Sequence, residues 1–277
     1  MNWRLFLPQC WDPATITDPA LAKDVTRRRA RCGIPETVGH REKWRLALDI
    51  LDENRQWGVA DRPVVADAGY GDITAFRLGL TERGLDYVVA VKPTTSAHPA
   101  EAVPEQPAST GRGRPPHPHY PENPANLKGL ALAARRRALR PVTWRHGTKK
   151  TTANPTATMR SRFMALRVRP ANRDIPRGSD GSLPECWLLV EWPPGESEPT
   201  DYWLSTLPAD TPITTLVRLA KIRWRIEHDY RELKHGLGLD HFEGRTYLGW
   251  HRHVTLVALA QAFCTTLRLD PKAHAPA

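Results

Sequence analysis

The sequence predicts an α/β fold: a strand–helix–strand core, interrupted by a β-rich insertion and completed by a late helix. Two short apolar runs, Val64–Ala66 and Asp86–Val91, flank a helical stretch within about thirty residues, the length of a parallel crossover unit. Beyond a Pro-rich connection lie four β-like pieces separated by Pro and Gly turns. Of 277 residues 40% are hydrophobic, enough for one large domain or one domain carrying a sizeable insertion.

Residues 4–7, RLFL, read as the end of a strand stopped by Pro8. A loop is expected next, running through the basic stretch Arg27–Arg31. Residues 41–57 place Trp44, Leu46, Leu48, Ile50, Leu51 and Trp57 at largely helical spacing, and Gly58 ends that helix. The run Val64–Ala66 stops at Asp67 and a Gly-rich turn, GYG, as a buried strand of an α/β sheet would. Residues 73–83 give a short helix and DYVVAV a second buried strand. From Pro93 to Asn126 the chain is rich in Pro and poor in apolar residues, which predicts a flexible or extended surface connection. An Ala/Arg-rich helix follows at Leu127–Leu139, then strands near Val142–Thr148, Arg162–Arg169, Cys186–Glu191 and Tyr202–Leu207.

The last helix is expected to start near Thr211–Pro212, where Thr caps and Pro suits the first turn, and to end at Gly236 and Gly238. Its apolar stripe is Leu216, Leu219, Ile222, Ile226, Leu233 and Leu237. Beside that stripe Arg223, Glu227, Arg231 and Lys234 follow an i, i+4, i+8, i+11 pattern and would share one face. Such a face is either a solvated row of ion pairs or an acid held beside phosphates.

The formal charge of +10 favours a polyanionic partner, nucleic acid or an anionic membrane surface. No apolar run reaches the length of a membrane span; the longest, around Val254–Phe263, is interrupted by Gln261. The N-terminal MNWRLFLPQCW lacks the pattern of a signal peptide, so a cytoplasmic protein is expected. Cys10, Cys32, Cys186 and Cys264 are scattered, against a zinc site or a disulfide scaffold. His251 and His253 form an H-x-H pair with no third ligand at suitable spacing, and read as a polar helix terminus.

Two acids stand out chemically. Asp67 follows a buried strand at its C-terminal end, where α/β sheets place ligand-binding residues. Glu227 sits on the late helix. Metal-assisted phosphodiester chemistry needs carboxylates from separate elements to hold two divalent ions about 3.5–4 Å apart. Hard oxygen ligands suit Mg²⁺.

ADAGYGD followed by DYVVAVK, with RWRIEHDYRELK later in the chain, resembles the DDE transposases of bacterial insertion sequences. The helix matches their R-(3)-E-(6)-K signature at Arg223, Glu227 and Lys234; the Tyr expected three residues before the Arg is here Ala220. GLDHFEGR and GWHRHVTLVALAQAF resemble the tail of one subgroup. The resemblance implies a ribonuclease H-like mixed sheet with flanking helices, interrupted by the β-rich insertion. Residues 1–92 would form its first part, 93–207 the Pro-rich connection and insertion, and 208–277 the C-terminal helices. It further implies that Asp67 and Glu227 are the second and third catalytic carboxylates, holding Mg²⁺ or Mn²⁺. Arg223 and Lys234 would contact phosphates of the transposon end, with Arg225, Arg231 and Trp224 as further DNA-binding residues. The partner would be DNA, at transposon ends and target, with the protein at the nucleoid and a homodimer when complete.

The family's first aspartate belongs on the first strand of its fold, upstream of a segment like WRLFLP. Asp12, Asp18 and Asp24 fall in expected loop. The expectation is therefore an N-terminally truncated chain with its first strands missing: a decayed copy, half of a frame-disrupted gene, or a reading frame with a misplaced start. Such a chain would be inactive, or a non-catalytic DNA-binding remnant able to inhibit an intact transposase. Trp144 would stack on nucleic acid or pack in the core, while Arg27–Arg31 and Arg135–Arg137 would add non-specific attraction to DNA.

Overall fold

Two strands set the frame in the computed structural model, which describes residues 2–107, 117–147, 151–152 and 157–270. β1 (Val64–Ala66) and β2 (Tyr87–Val91) run parallel, with Val64 opposite Tyr87 and Ala66 opposite Val89. The crossover between them is a four-residue turn of helix, α3 (Ala68–Gly71), and α4 (Thr74–Glu82). Phe76 and Leu80 of α4 are fully buried. The expected strand–helix–strand unit is present.

The expected insertion joins the same sheet. β8 (Asp201–Ser205) pairs antiparallel with β2, then β7 (Cys186–Glu191) and β6 (Thr158–Pro170) follow in antiparallel order. β3 (Ser96–Pro99), β4 (Ala125–Asn126) and β5 (Arg140–His146) complete eight strands in the order β1-β2-β8-β7-β6-β3-β4, with β5 also on β6. The result is a mixed sheet with flanking helices, consistent with a ribonuclease H-like fold. Its central strands are buried on both faces, so CWLLVE and DYWLS read as near-continuous apolar runs rather than alternating ones.

On one face Val88, Val142, Phe163, Leu189 and Trp203 pack against Leu216, Val217 and Ala220 of α6 (Ile213–Lys221). Each fully buried side chain of this size contributes about 1.5–3 kcal/mol. Trp144 belongs to this core, edge-on to Phe163 with ring centroids 5.7 Å apart. Packing therefore accounts for it.

The Pro-rich stretch is more ordered than its composition predicts. Ser96–Pro99 lies between β4 and β6, with Ala97 and His98 buried, and Glu105 bridges His119. A strand needs backbone partners as well as apolar side chains, and β6 provides them. Residues 108–116 of this stretch lie outside the description, as does Thr148 at the end of an expected strand. The Ala-rich helix is shorter than expected: α5 spans Leu127–Ala134, capped by Asn126, whose side chain accepts from Gly129 N at 2.7 Å. Arg135 ends it at φ 61°, ψ 165°, a conformation rare outside glycine that costs about 1–3 kcal/mol.

By its contacts the chain divides into two compact units, Ala60–Arg223, just described, and Met1–Val59 with Trp224–Ala277. In the second unit the expected loop through Arg27–Arg31 is a helix, α1 (Pro19–Cys32). Asp18 caps it by accepting from Ala20 N at 2.9 Å, Pro19 occupies its first position, and Gly33 ends it at φ 65°. Arg29 is buried and donates to the carbonyls of Trp11 (2.8 Å) and Pro35 (2.9 Å). The basic run thus hides an internal staple that composition does not disclose. Residues 4–7 form no strand, since none of them has a ladder partner; Arg4 instead pairs with Glu53 of α2 (Lys43–Gln56) at 2.5 Å.

The expected single late helix is broken. α6 ends at Lys221, Ile222 and Arg223 form a turn, α7 covers Trp224–Arg231, and a π-helical turn occupies Glu232–Gly236. Lys221 is drawn to Glu191 of β7, and the stripe beyond it does not stay buried: Ile222 and Ile226 are exposed. In the π turn, neighbouring side chains serve two anchors. Leu233 is buried, and Glu232 pairs with Arg268 of the long C-terminal helix, α8 (Tyr247–Leu269). Without burial to hold it straight, the pattern that sequence periodicity reads as one helix splits.

Candidate functional site

Asp67 stands immediately after β1, at the N-cap position of α3. Its turn is held in place by three contacts. A Cβ on Gly71 would overlap the carbonyl oxygen of Ala90 and lie 3.1 Å from Val89 Cβ, so only glycine lets α3 come this close to β2. Asp72 accepts from Lys92 N at 2.7 Å and pairs with its ammonium at 3.2 Å. Buried Arg77 donates to Gly71 O, and burial lowers its pKa. Asp72, Lys92 and Arg77 escaped the sequence reading; the signal was the glycine pair of GYG, which forces backbone against backbone.

A turn-forming Asp at an N-cap normally accepts from the first free N–H groups of the helix. Asp67 makes no such cap bond; only its main-chain oxygen receives Tyr70 N (3.1 Å) and Gly71 N (2.7 Å). Its Oδ1 is buried with no hydrogen-bond partner among the described residues. Oδ2 lies 3.9 Å from a guanidinium nitrogen of Arg223. A buried carboxylate oxygen without a donor is costly unless something satisfies it. As a hard oxygen donor the carboxylate is of the type that holds a divalent cation such as Mg²⁺.

The cationic segment belongs to the other unit from Trp224 onward. Glu227 is exposed in the first turn of α7, where the helix dipole favours a negative charge. Arg225 lies 5.8 Å from the Trp224 ring centroid, and Lys234 lies 6.0 Å from that of Tyr230. Only Glu227 and Arg231 keep the expected i, i+4 relation on one helix. Arg223 sits in the turn before it and Lys234 in the π turn after it, so the four side chains do not line one straight helical face.

Other acids have structural roles. Asp12 accepts from Ala14 N (3.0 Å) and His40 N (2.6 Å), Asp18 caps α1, and Asp24 pairs with Arg28 at 3.0 Å within α1. His228, Asp229 and Glu232 bring ligand atoms within 4.8 Å of one another, but Glu232 already accepts from Arg268 and from Gln261 Nε2. His253 Nε2 lies 3.1 Å from Gly238 O and 3.2 Å from Leu239 O, while the His251 ring packs against Tyr247 and Trp250. The H-x-H pair lies in the first two turns of α8 and ties that helix to the preceding loop. Among the described residues no helix is long and apolar enough to cross a membrane.

Residues 1–151 match the family model described as DDE superfamily endonuclease. The matched region contains β1, the braced turn and Asp67; Arg223, Glu227 and Lys234 lie beyond it, on the R-(3)-E-(6)-K pattern alone. No curated protein matches the chain. Endonucleases of this superfamily act on DNA with divalent metal ions, in accord with an orphaned carboxylate at a strand tip and a chain of net charge +10. With more than half of its 277 residues matched, the chain belongs to the DDE superfamily endonucleases.

Proposed function

We propose that the chain is a transposase of a bacterial insertion sequence, cutting DNA at the element's ends and joining it to a target. The observation that carries this reading is Asp67: a carboxylate on a braced turn at the C-terminal end of β1, with an oxygen that the fold leaves unsatisfied. Asp67 and Glu227 would each supply a carboxylate oxygen to Mg²⁺ or Mn²⁺. Divalent ions bound by such carboxylates activate a water or 3′-hydroxyl and stabilise the departing oxygen.

The remaining residues position the DNA. Arg223, Arg225, Arg231 and Lys234 hold backbone phosphates, and Trp224, half-buried beside Arg225, offers a ring face to a base. Arg223 also places a guanidinium nitrogen 3.9 Å from Asp67 Oδ2. A homodimer at the nucleoid would bring two ends together.

The test is strand cleavage of an end-bearing duplex with Mg²⁺ or Mn²⁺. Asp67→Ala and Glu227→Ala should each abolish cleavage while leaving DNA binding in place. Arg223→Ala and Lys234→Ala should weaken binding and lower the salt slope by roughly one unit each. Cleavage that survives Asp67→Ala sinks the assignment. DNA binding without any cleavage by the unmodified chain would instead make it a non-catalytic DNA-binding protein.

A further inference from the structure

A cluster of arginines lies in the insertion, and of its members only Arg136 was named above, in the run Arg135–Arg137. Arg136, Arg160 and Arg162 line a recess of about 490 Å³ walled by Leu139, Pro141 and Pro194. On the β5–β6 pair Pro141 stands opposite Arg162 and Thr143 opposite Arg160, and all four are exposed on one face. Ser161, between the arginines, also lines the recess although it is largely buried opposite buried Val142, and the charged side chains of the lining are all arginines. Arg136 is held in place: it donates to Glu196 O at 2.6 Å and lies 4.5 Å from the Trp192 ring centroid.

Among the described residues no acid lines the recess. Several arginines elsewhere pair with acids, as Arg167 with Glu185 at 2.6 Å, Arg41 with Asp49 at 3.0 Å and Arg28 with Asp24 at 3.0 Å. The imbalance is written into the sequence. Between Glu122 and Asp174 there are thirteen Lys and Arg and no Asp or Glu, although the chain has 30 acids. Three guanidinium groups in one apolar-walled recess repel one another unless an anion joins them. Arg135, at the head of the turn that delivers Arg136, holds a backbone conformation that ordinarily only glycine adopts.

We propose that this recess binds a phosphodiester of the DNA backbone, as a contact in addition to those proposed for α7. The inference rests on the reading of the chain as a DNA-acting enzyme, and adds where a further stretch of backbone is gripped. Guanidinium forks pair with phosphate oxygens in bidentate fashion, which favours arginine over lysine.

The test is fluorescence anisotropy on duplex DNA with EDTA present, so that binding is read without cleavage. Arg160→Gln/Arg162→Gln should weaken binding by about tenfold or more and lower the log–log salt slope by roughly two units. Arg27→Gln/Arg31→Gln, the same charge removed from exposed positions of α1, serves as the control and should weaken binding by at most about threefold. Arg160→Lys/Arg162→Lys should recover most of the salt slope, which also guards against a folding defect. Equal losses in the Gln pair and the control would overturn the proposal in favour of bulk charge. A separate arm uses inorganic phosphate: thermal stabilisation of the unmodified chain but not of the Gln pair, with DNA affinity unchanged, would make this a free-phosphate site and overturn the DNA assignment. Cleavage lost with this binding effect intact sinks the transposase reading alone; the effect lost with cleavage intact sinks this one alone.

Discussion

At the scale of single residues, the position of Asp67 depends on neighbours that have no chemistry of their own. Gly71→Ala would push a methyl group into the Ala90 carbonyl. Overpacking of a tight site costs about 1–3 kcal/mol. The variant should therefore lower the urea midpoint and reduce cleavage even though every carboxylate is retained. Unchanged stability would mean that α3 can lift off β2 freely. Lys221 makes a second case. Its ammonium pairs with Glu191, whose side chain is only 7% exposed, and lies 5.2 Å from the ring centroid of Trp203 and 5.3 Å from that of Trp144. Lys221→Met leaves Glu191 charged and unmatched, at a cost of about 3–5 kcal/mol. Adding Glu191→Gln should recover much of that loss, read from urea midpoints at constant m. A double variant no better than the single one would show that the cation acts through its aromatic neighbours alone.

At the scale of elements, the C-terminal helix is tied down by an acid. The hydrogen bonds from Arg268 hold the Glu232 carboxyl below the usual glutamate range, with Gln261 adding to the effect and burial opposing it. A depressed folded-state pKa means stability that is present above the unfolded value, about 4.3, and lost as pH falls through the folded one. Glu232→Gln should therefore melt below the unmodified chain at neutral pH, and the gap should close under acid. A gap that stays constant from pH 7 to pH 3 would show that Arg268 contributes nothing through charge. The same tie helps to explain why the late helical pattern splits: Glu232 and Leu233, adjacent in sequence, answer to different partners.

At the scale of the molecule, Ala60–Arg223 contains the eight strands found among the described residues and the core around Phe163 and Leu189. The ladders of that sheet and the members of that core lie within it. Expressed alone, residues 60–223 should fold and unfold cooperatively in urea, with m of about 1–3 kcal/mol/M. A broad, uncooperative transition would show that this unit needs the rest of the chain. The chain's net charge of +10 acts at this scale as well, giving DNA affinity that falls by about 0.9 log units per neutralised phosphate for each tenfold rise in salt.

The sequence by itself determined what depends on near neighbours. Val64–Ala66 and Tyr87–Val91 are strands because an apolar run of that length, punctuated by Gly and Asp, has few alternatives. Asp67 was legible as a strand-tip acid for the same reason. The tertiary structure decided what depends on distant partners. The carbonyls of Trp11 and Pro35 receive Arg29 and turn an expected loop into a helix, and β6 recruits the Pro-rich Ser96–Pro99 as a strand. Glu191 holds Lys221 where one expected helix becomes two. Local pattern records which side chains want burial; it carries no record of which backbone or charge, far along the chain, will be there to meet them.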